Sequence, residues 1–217
     1  MFVKRIRKWF IFFGCLAPFH AALADGVSSI EVLEELTFNE FHDPGYIYFT
    51  ASDGRKLEAG FYYRLISYEE IEKWGQDEKI ELVITQNKGL LIRRKLTSKS
   101  FKVVFLGDEN PLEKLEKNCL ETAMSTLDIS GCYHQSSTLW LNEGNYLYRE
   151  LIKNSSDKLS TRLAETRIRW EEYENSLMES FYFHAQEQGG SIMKIQAASL
   201  KSQLAQSHFY QLVSFYE

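Results

Sequence analysis

Between Tyr46 and Leu106 the chain groups aromatic and branched residues into short runs separated by polar turns, the pattern of β-strands rather than helices. Five runs stand out: Tyr46 to Thr50, Leu57 to Ile66, Ile80 to Thr85, Leu90 to Leu96 and Phe101 to Leu106. Ser52, Asp53 and Gly54 form one tight connection, and Gln86 to Gly89, with Asn87 and Lys88 at its centre, forms another. Asn and Gly tolerate positive φ, so both connections suit hairpins and predict antiparallel pairing. Ser67 followed three residues later by Glu70 reads as a capping box for a short helix that Gly75 can end. Residues 28–38 fit either a helix or an extended lead-in.

The period changes at Asn110. Asn110 as cap, Pro111 at the first helical position and Glu113 in the first turn predict a helix start, and Ser125 with Asp128 predicts a second. Beyond it Ile129, Cys132, Ser136, Leu139, Glu143, Tyr146 and Leu147 share a face, although Glu143 and Gly144 interrupt its apolar character. Leu159, Leu163, Thr166, Trp170, Tyr173 and Leu177 alternate spacings of four and three, the stripe that packs one helix on others. Gly189 and Gly190 should stop that helix, and Ser191 should cap a last one carrying Met193, Ala197, Leu200 and Leu204. Long helices joined by short turns run antiparallel as a bundle. The expected fold is therefore α+β: an antiparallel sheet domain over residues 25–109, then a helical bundle over 110–217.

The first segment is read apart from the fold. Lys4, Arg5, Arg7 and Lys8 precede a mostly apolar run from Trp9 to Phe19, and Ala22, Leu23 and Ala24 supply a cleavage pattern before Asp25. Residues 1–24 are expected to be a secretory signal peptide, which places the mature protein in the periplasm or outside the cell. The competing readings are a retained anchor and a lipoprotein acylated on Cys15. The apolar run falls short of the ~20 residues that span a bilayer, and Phe12 stands where a lipoprotein signal normally has leucine. No stable membrane span is expected in the mature chain.

Composition adds sign and compartment. The 217 residues carry 25 Lys and Arg against 30 Asp and Glu. Removing the leader takes away four basic residues and no acidic ones, leaving 193 residues with 21 basic and 30 acidic side chains, net −9. Such a balance argues against a nucleic-acid partner held by phosphate neutralisation and makes a cationic partner the easier one. Cys119 and Cys132 then remain, and an even pair in an oxidising compartment most often forms a disulfide. A zinc site using His134 is the rival reading, without the usual paired cysteine spacing.

Cys119 and Cys132, then Asn145, Tyr148 and Leu151, then Leu163, Trp170 and Tyr173, then Gly189, Gly190 and Ser191 before a last helix resemble the lysozyme inhibitor LprI N-terminal-like domain family. The resemblance covers about residues 110–217. In the family an acidic residue and a leucine usually stand at Leu141 and Gly144, and a second cysteine pair falls near Met178 and in the last helix. What the resemblance implies is a helical domain and, as partner, a lysozyme-like muramidase inhibited by protein–protein contact.

Residue by residue, Trp170 and Tyr173 are expected in the core, with partner binding as the alternative. Asn145 and Tyr148, one turn apart, either orient a neighbouring helix or face a partner. Glu171, Glu172, Glu174 and Glu179 read as a solvated helix face that could also meet a basic protein. Arg93, Arg94 and Lys95 read as a guard on an edge strand. No G-x-S-x-G elbow, phosphate-cradling glycine loop or H-E-x-x-H pair occurs, so no catalytic residue, cofactor or metal is expected. The expected function is an exported, non-enzymatic binding protein. The alternative is an envelope interaction or immunity-type protein that neutralises a toxin without inhibiting lysozyme.

Overall fold

The sheet and helices divide the chain as expected in a computed structural model, which describes residues 30–42, 45–60, 66–85, 89–106, 110–188 and 190–215. The expected leader over 1–24, the end of the second expected strand at 61–65, the turn residues 86–88 and Gly189 lie outside the described residues. Seven described strands form one antiparallel sheet: β1 (Ile30–His42), β2 (Tyr46–Ala51), β3 (Lys56–Gly60), β4 (Lys79–Thr85), β5 (Gly89–Arg94), β6 (Ser100–Phe101) and β7 (Val104–Leu106). Their order is β6-β5-β4-β1-β2-β3-β7. The ambiguous lead-in is thus the long central strand, paired on both sides. Among the described residues the two- and three-residue strands β6 and β7 lie at the ends of the sheet.

The fifth expected run divides in two because Lys102 and Val103 leave the strand and both turn into the interior. The short helix α1 (Tyr68–Ile71) follows Ser67, but the Ser67 side chain makes no capping bond. Arg93, Arg94 and Lys95 correct the edge-guard reading, since β5 lies between β4 and β6. Arg94 is buried, forks onto Glu78 at 2.7 and 2.8 Å, and lies 5.7 Å from the centre of the Trp74 ring. Arg93 pairs with Glu81 at 2.7 Å and Lys95 pairs with Glu35.

Four helices follow: α2 (Pro111–Thr122), α3 (Thr126–Lys153), α4 (Asp157–Gln188) and α5 (Ser191–Val213). The Asn110 side chain accepts from the Leu112 N–H at 3.0 Å, and Ser125 and Asp128 close a reciprocal capping box. Gly190, at φ +109°, is the N-cap of α5, so Ser191 is its first helical residue rather than its cap. The sulfurs of Cys119 and Cys132 are joined to each other, which removes the zinc reading and pins α2 to α3. Closing a loop of 13 residues stabilises by about 3 kcal/mol in the chain-entropy description.

The α3–α5 seam sets small residues beside large ones. Ser136 and Gly144 of α3 face Ser202, Phe209 and Leu212 of α5, so the two backbones approach closely. Glu116 of α2 accepts from the Ser202 hydroxyl at 2.7 Å. Glu113 accepts from Gln206 at 2.6 Å and from the Tyr210 hydroxyl at 3.2 Å. Burial and the Glu113 carboxylate push that hydroxyl up to about 12.

Leu112, Trp140, Leu147, Leu151, Phe209, Leu212 and Val213 enter the same buried cluster as Leu36, Ile47, Phe49, Ile80, Leu82 and Ile92 of the sheet. α4 behaves differently. Of the expected stripe only Leu163 is buried, joined further on by Met178, while Leu159 and Tyr173 are exposed and Trp170 is half-buried. The period correctly places one apolar side on this helix, but its neighbours cover only part of it.

Candidate protein-binding surface

Glu143, the acid that breaks the apolar face of α3, meets Lys102 in the interior at 2.5 Å, each side chain nearly inaccessible. The pair closes the backbone of β5. Glu143 Oε1 accepts from the Leu90 N–H at 2.5 Å, and Lys102 Nζ donates to the Leu90 carbonyl at 2.9 Å. Two side chains thus take the hydrogen bonds that a further strand would make. Burial presses the Lys102 ammonium down and the Glu143 carboxyl up, and each opposes the other's shift with its charge. Lys102 Nζ faces three acceptors, the Leu90 carbonyl and both Glu143 oxygens, which fits an ammonium beside a carboxylate. Gly89, at φ +66°, makes room, since a Cβ there would lie 1.9 Å from Glu143 Oε1. The joint is structural, and its atoms are turned away from solvent.

The residues expected to bind a partner separate into an inner and an outer group. Tyr148 and Trp170 come together with His208 around a crevice of about 90 Å³ between α3, α4 and α5. The Trp170 ring stacks on His208 at 3.9 Å with an interplanar angle of 15°, and Arg167 lies 4.7 Å from the centre of the Tyr148 ring. Glu171 is tied to this group, pairing with Arg167 at 2.8 Å, and Asn145 is half-buried one turn before Tyr148. This group holds α4 to the bundle.

Burial, reinforced by the Arg167 cation and opposed by Glu171, holds His208 down to about 4 from an ordinary 6.5. The unfolded chain therefore takes up a proton near pH 6.5 that the native state refuses until near pH 4, so stability falls as pH drops through that interval. With His208 only partly buried, the loss between pH 7.5 and 5 is expected to be on the order of 1 kcal/mol. Urea denaturation at both pH values should show that loss in the native protein and a clearly smaller one in His208→Phe, which keeps a ring on Trp170. Equal losses in the two proteins would contradict the assignment.

The outer group lies further along α4. Tyr173 is 57% exposed, which corrects its expected place in the core. Glu174 is half-buried, and its carboxyl is raised by burial, lowered by Lys201 and raised again by Glu171. With Met178, Glu179, Tyr182 and Phe183 of α4 and Lys201 of α5, Glu174 lines a furrow of about 390 Å³. A second hollow of about 520 Å³ opens on the other side of Tyr182, toward Ser130 and His134 of α3 and Met193 of α5. From 171 to 188 this helix carries Glu171, Glu172, Glu174, Glu179 and Glu187 and no lysine or arginine. Tyr182 and Phe183 are 47% and 62% exposed. Met178, Tyr182, Phe183 and Lys201 were not singled out by the stripe; the aromatic run 181–183, continuing past Leu177, was the available signal.

Among the described residues no group of three His, Cys, Asp or Glu side chains is placed to hold a metal ion, and no helix is long and apolar enough to cross a membrane. Comparison with family models, curated proteins and solved structures finds no match to this chain.

Proposed function

We propose that this is an exported, non-enzymatic binding protein that takes a cationic protein against the outer face of α4. One observation carries the reading: beyond Glu171, which Arg167 already holds, α4 carries Glu172, Glu174, Glu179 and Glu187 and no lysine or arginine as far as residue 188, and on the same stretch Tyr182 and Phe183 are exposed. Exposed aromatics supply the apolar anchors of an interface, and one sign of charge steers the opposite sign toward them. The acidic balance of the chain beyond residue 24 acts in the same direction at longer range. A lysozyme-like muramidase is the partner suggested by the sequence resemblance of residues 110–217, and its usual cationic character suits this face.

The test is muramidase turnover in the presence of the purified mature protein. Inhibition is expected near stoichiometric ratios at low ionic strength and should weaken as salt rises, because exposed charges are screened over about 10 Å at 0.1 M. The double reversal Glu174→Lys with Glu179→Lys should weaken inhibition by about tenfold or more. Unchanged hydrolysis at stoichiometric excess in low salt would remove the muramidase reading.

A further inference from the structure

Building on the proposed cationic partner, we infer that the partner enters the α4–α5 furrow as a basic amphipathic α-helix. The walls of the furrow are themselves helices. From α4 they present Glu174, Met178 and Tyr182 as one row with spacing of four, and Glu179 and Phe183 as the adjacent row; Lys201 of α5 stands opposite. Rows of this kind leave a groove that accepts the side-chain ridge of another helix. The lining runs from Glu174 to Gln186, about 18 Å along the axis, or a little over three helical turns.

The chemistry of the lining selects against an extended segment. Both walls use their own backbone groups within helices, so neither offers a strand edge. An extended segment gains its affinity from main-chain hydrogen bonds to a strand edge and would find none here, whereas a helix satisfies its own backbone and needs only a groove for its side chains. Apolar residues at helical spacing would settle on Tyr182 and Phe183, beside the buried Met178, and flanking lysines or arginines would reach Glu179 and the Glu174 carboxylate that Lys201 already faces. A second copy of this chain fits poorly, because its own α4 would bring glutamates against glutamates.

The probes are two fluorescein-labelled synthetic peptides of about 18 residues with identical leucine and lysine content. One has leucines at helical spacing and the other has leucine and lysine in strict alternation. Fluorescence anisotropy with the mature protein should give at least about tenfold tighter binding for the helical-period peptide. Phe183→Ser and Glu179→Lys, both at exposed positions, should each weaken that binding by about tenfold, while Ile168→Ser, exposed on α4 outside the furrow, should leave it unchanged. A muramidase titration runs in parallel. Equal or tighter binding of the alternating peptide overturns the helix inference, as does muramidase inhibition without binding of either peptide; in both cases the cationic-partner reading stands. Failure of both peptides and of the muramidase overturns both.

Discussion

Glu143→Ala is expected to lower the free energy of unfolding by about 3–5 kcal/mol, because it strands the Lys102 ammonium in the interior without its counter-charge. That is a large share of the ~5–15 kcal/mol typical of a native protein. An ordinary buried ion pair can be exchanged for apolar residues at little or no loss. This one is different, since Glu143 and Lys102 also hold the N–H and C=O of Leu90. Lys102→Met combined with Glu143→Leu should remain about 2 kcal/mol or more below the native protein, because each orphaned buried backbone group costs roughly 1–3 kcal/mol. Urea denaturation of the native protein, the single variant and the double variant measures this directly. A double variant as stable as the native chain would show that the pair has no role in closing β5.

Trp140→Ala is expected to cost about 3–5 kcal/mol. Trp140 is 1% exposed, the largest fully buried side chain among the described residues, and its ring packs 5.1 Å from Phe209 and 5.7 Å from Tyr210. Its removal opens a void at the point where α3, α5 and the sheet share their interior, and the small residues along the α3–α5 seam leave little room to collapse into it. The melting temperature should fall by about 10 °C for a chain of this size, with Trp140→Phe much milder. A loss under about 1 kcal/mol for Trp140→Ala would contradict the packing described.

Much of the architecture was legible where local chemistry and tertiary need agree. Asn110-Pro111 and the Ser125/Asp128 box start their helices where expected because these caps act within a few residues. β1 was not legible. Its register shifts between Val32 and Glu34 and again between Phe38 and Glu40, and each bulge resets the inward and outward alternation. With that alternation interrupted, Val32, Leu33, Leu36 and Phe38 match a helical period as readily as a strand.

The binding surface was legible in part. Glu174 lines the α4–α5 furrow and Tyr173 is exposed on another side of α4, whereas Tyr148 and Trp170 hold that helix in place. Periodicity reveals which side of a helix is apolar but not how closely a neighbour approaches it. The Lys102–Glu143 joint spans 41 positions, beyond any local pattern, and its one trace was an acid on an otherwise apolar helical face.

The common interior has a bearing on descent. Leu147 and Leu151 of α3 belong to the same buried cluster as Phe49 and Ile92 of the sheet, so each half supplies part of the other's interior. A gene fusion that exchanged either half at residue 110 would separate Glu143 from Lys102 and Trp140 from its setting. Such a lineage should therefore inherit the two halves together, with length variation confined to solvent-facing turns and recombination at the junction selected against.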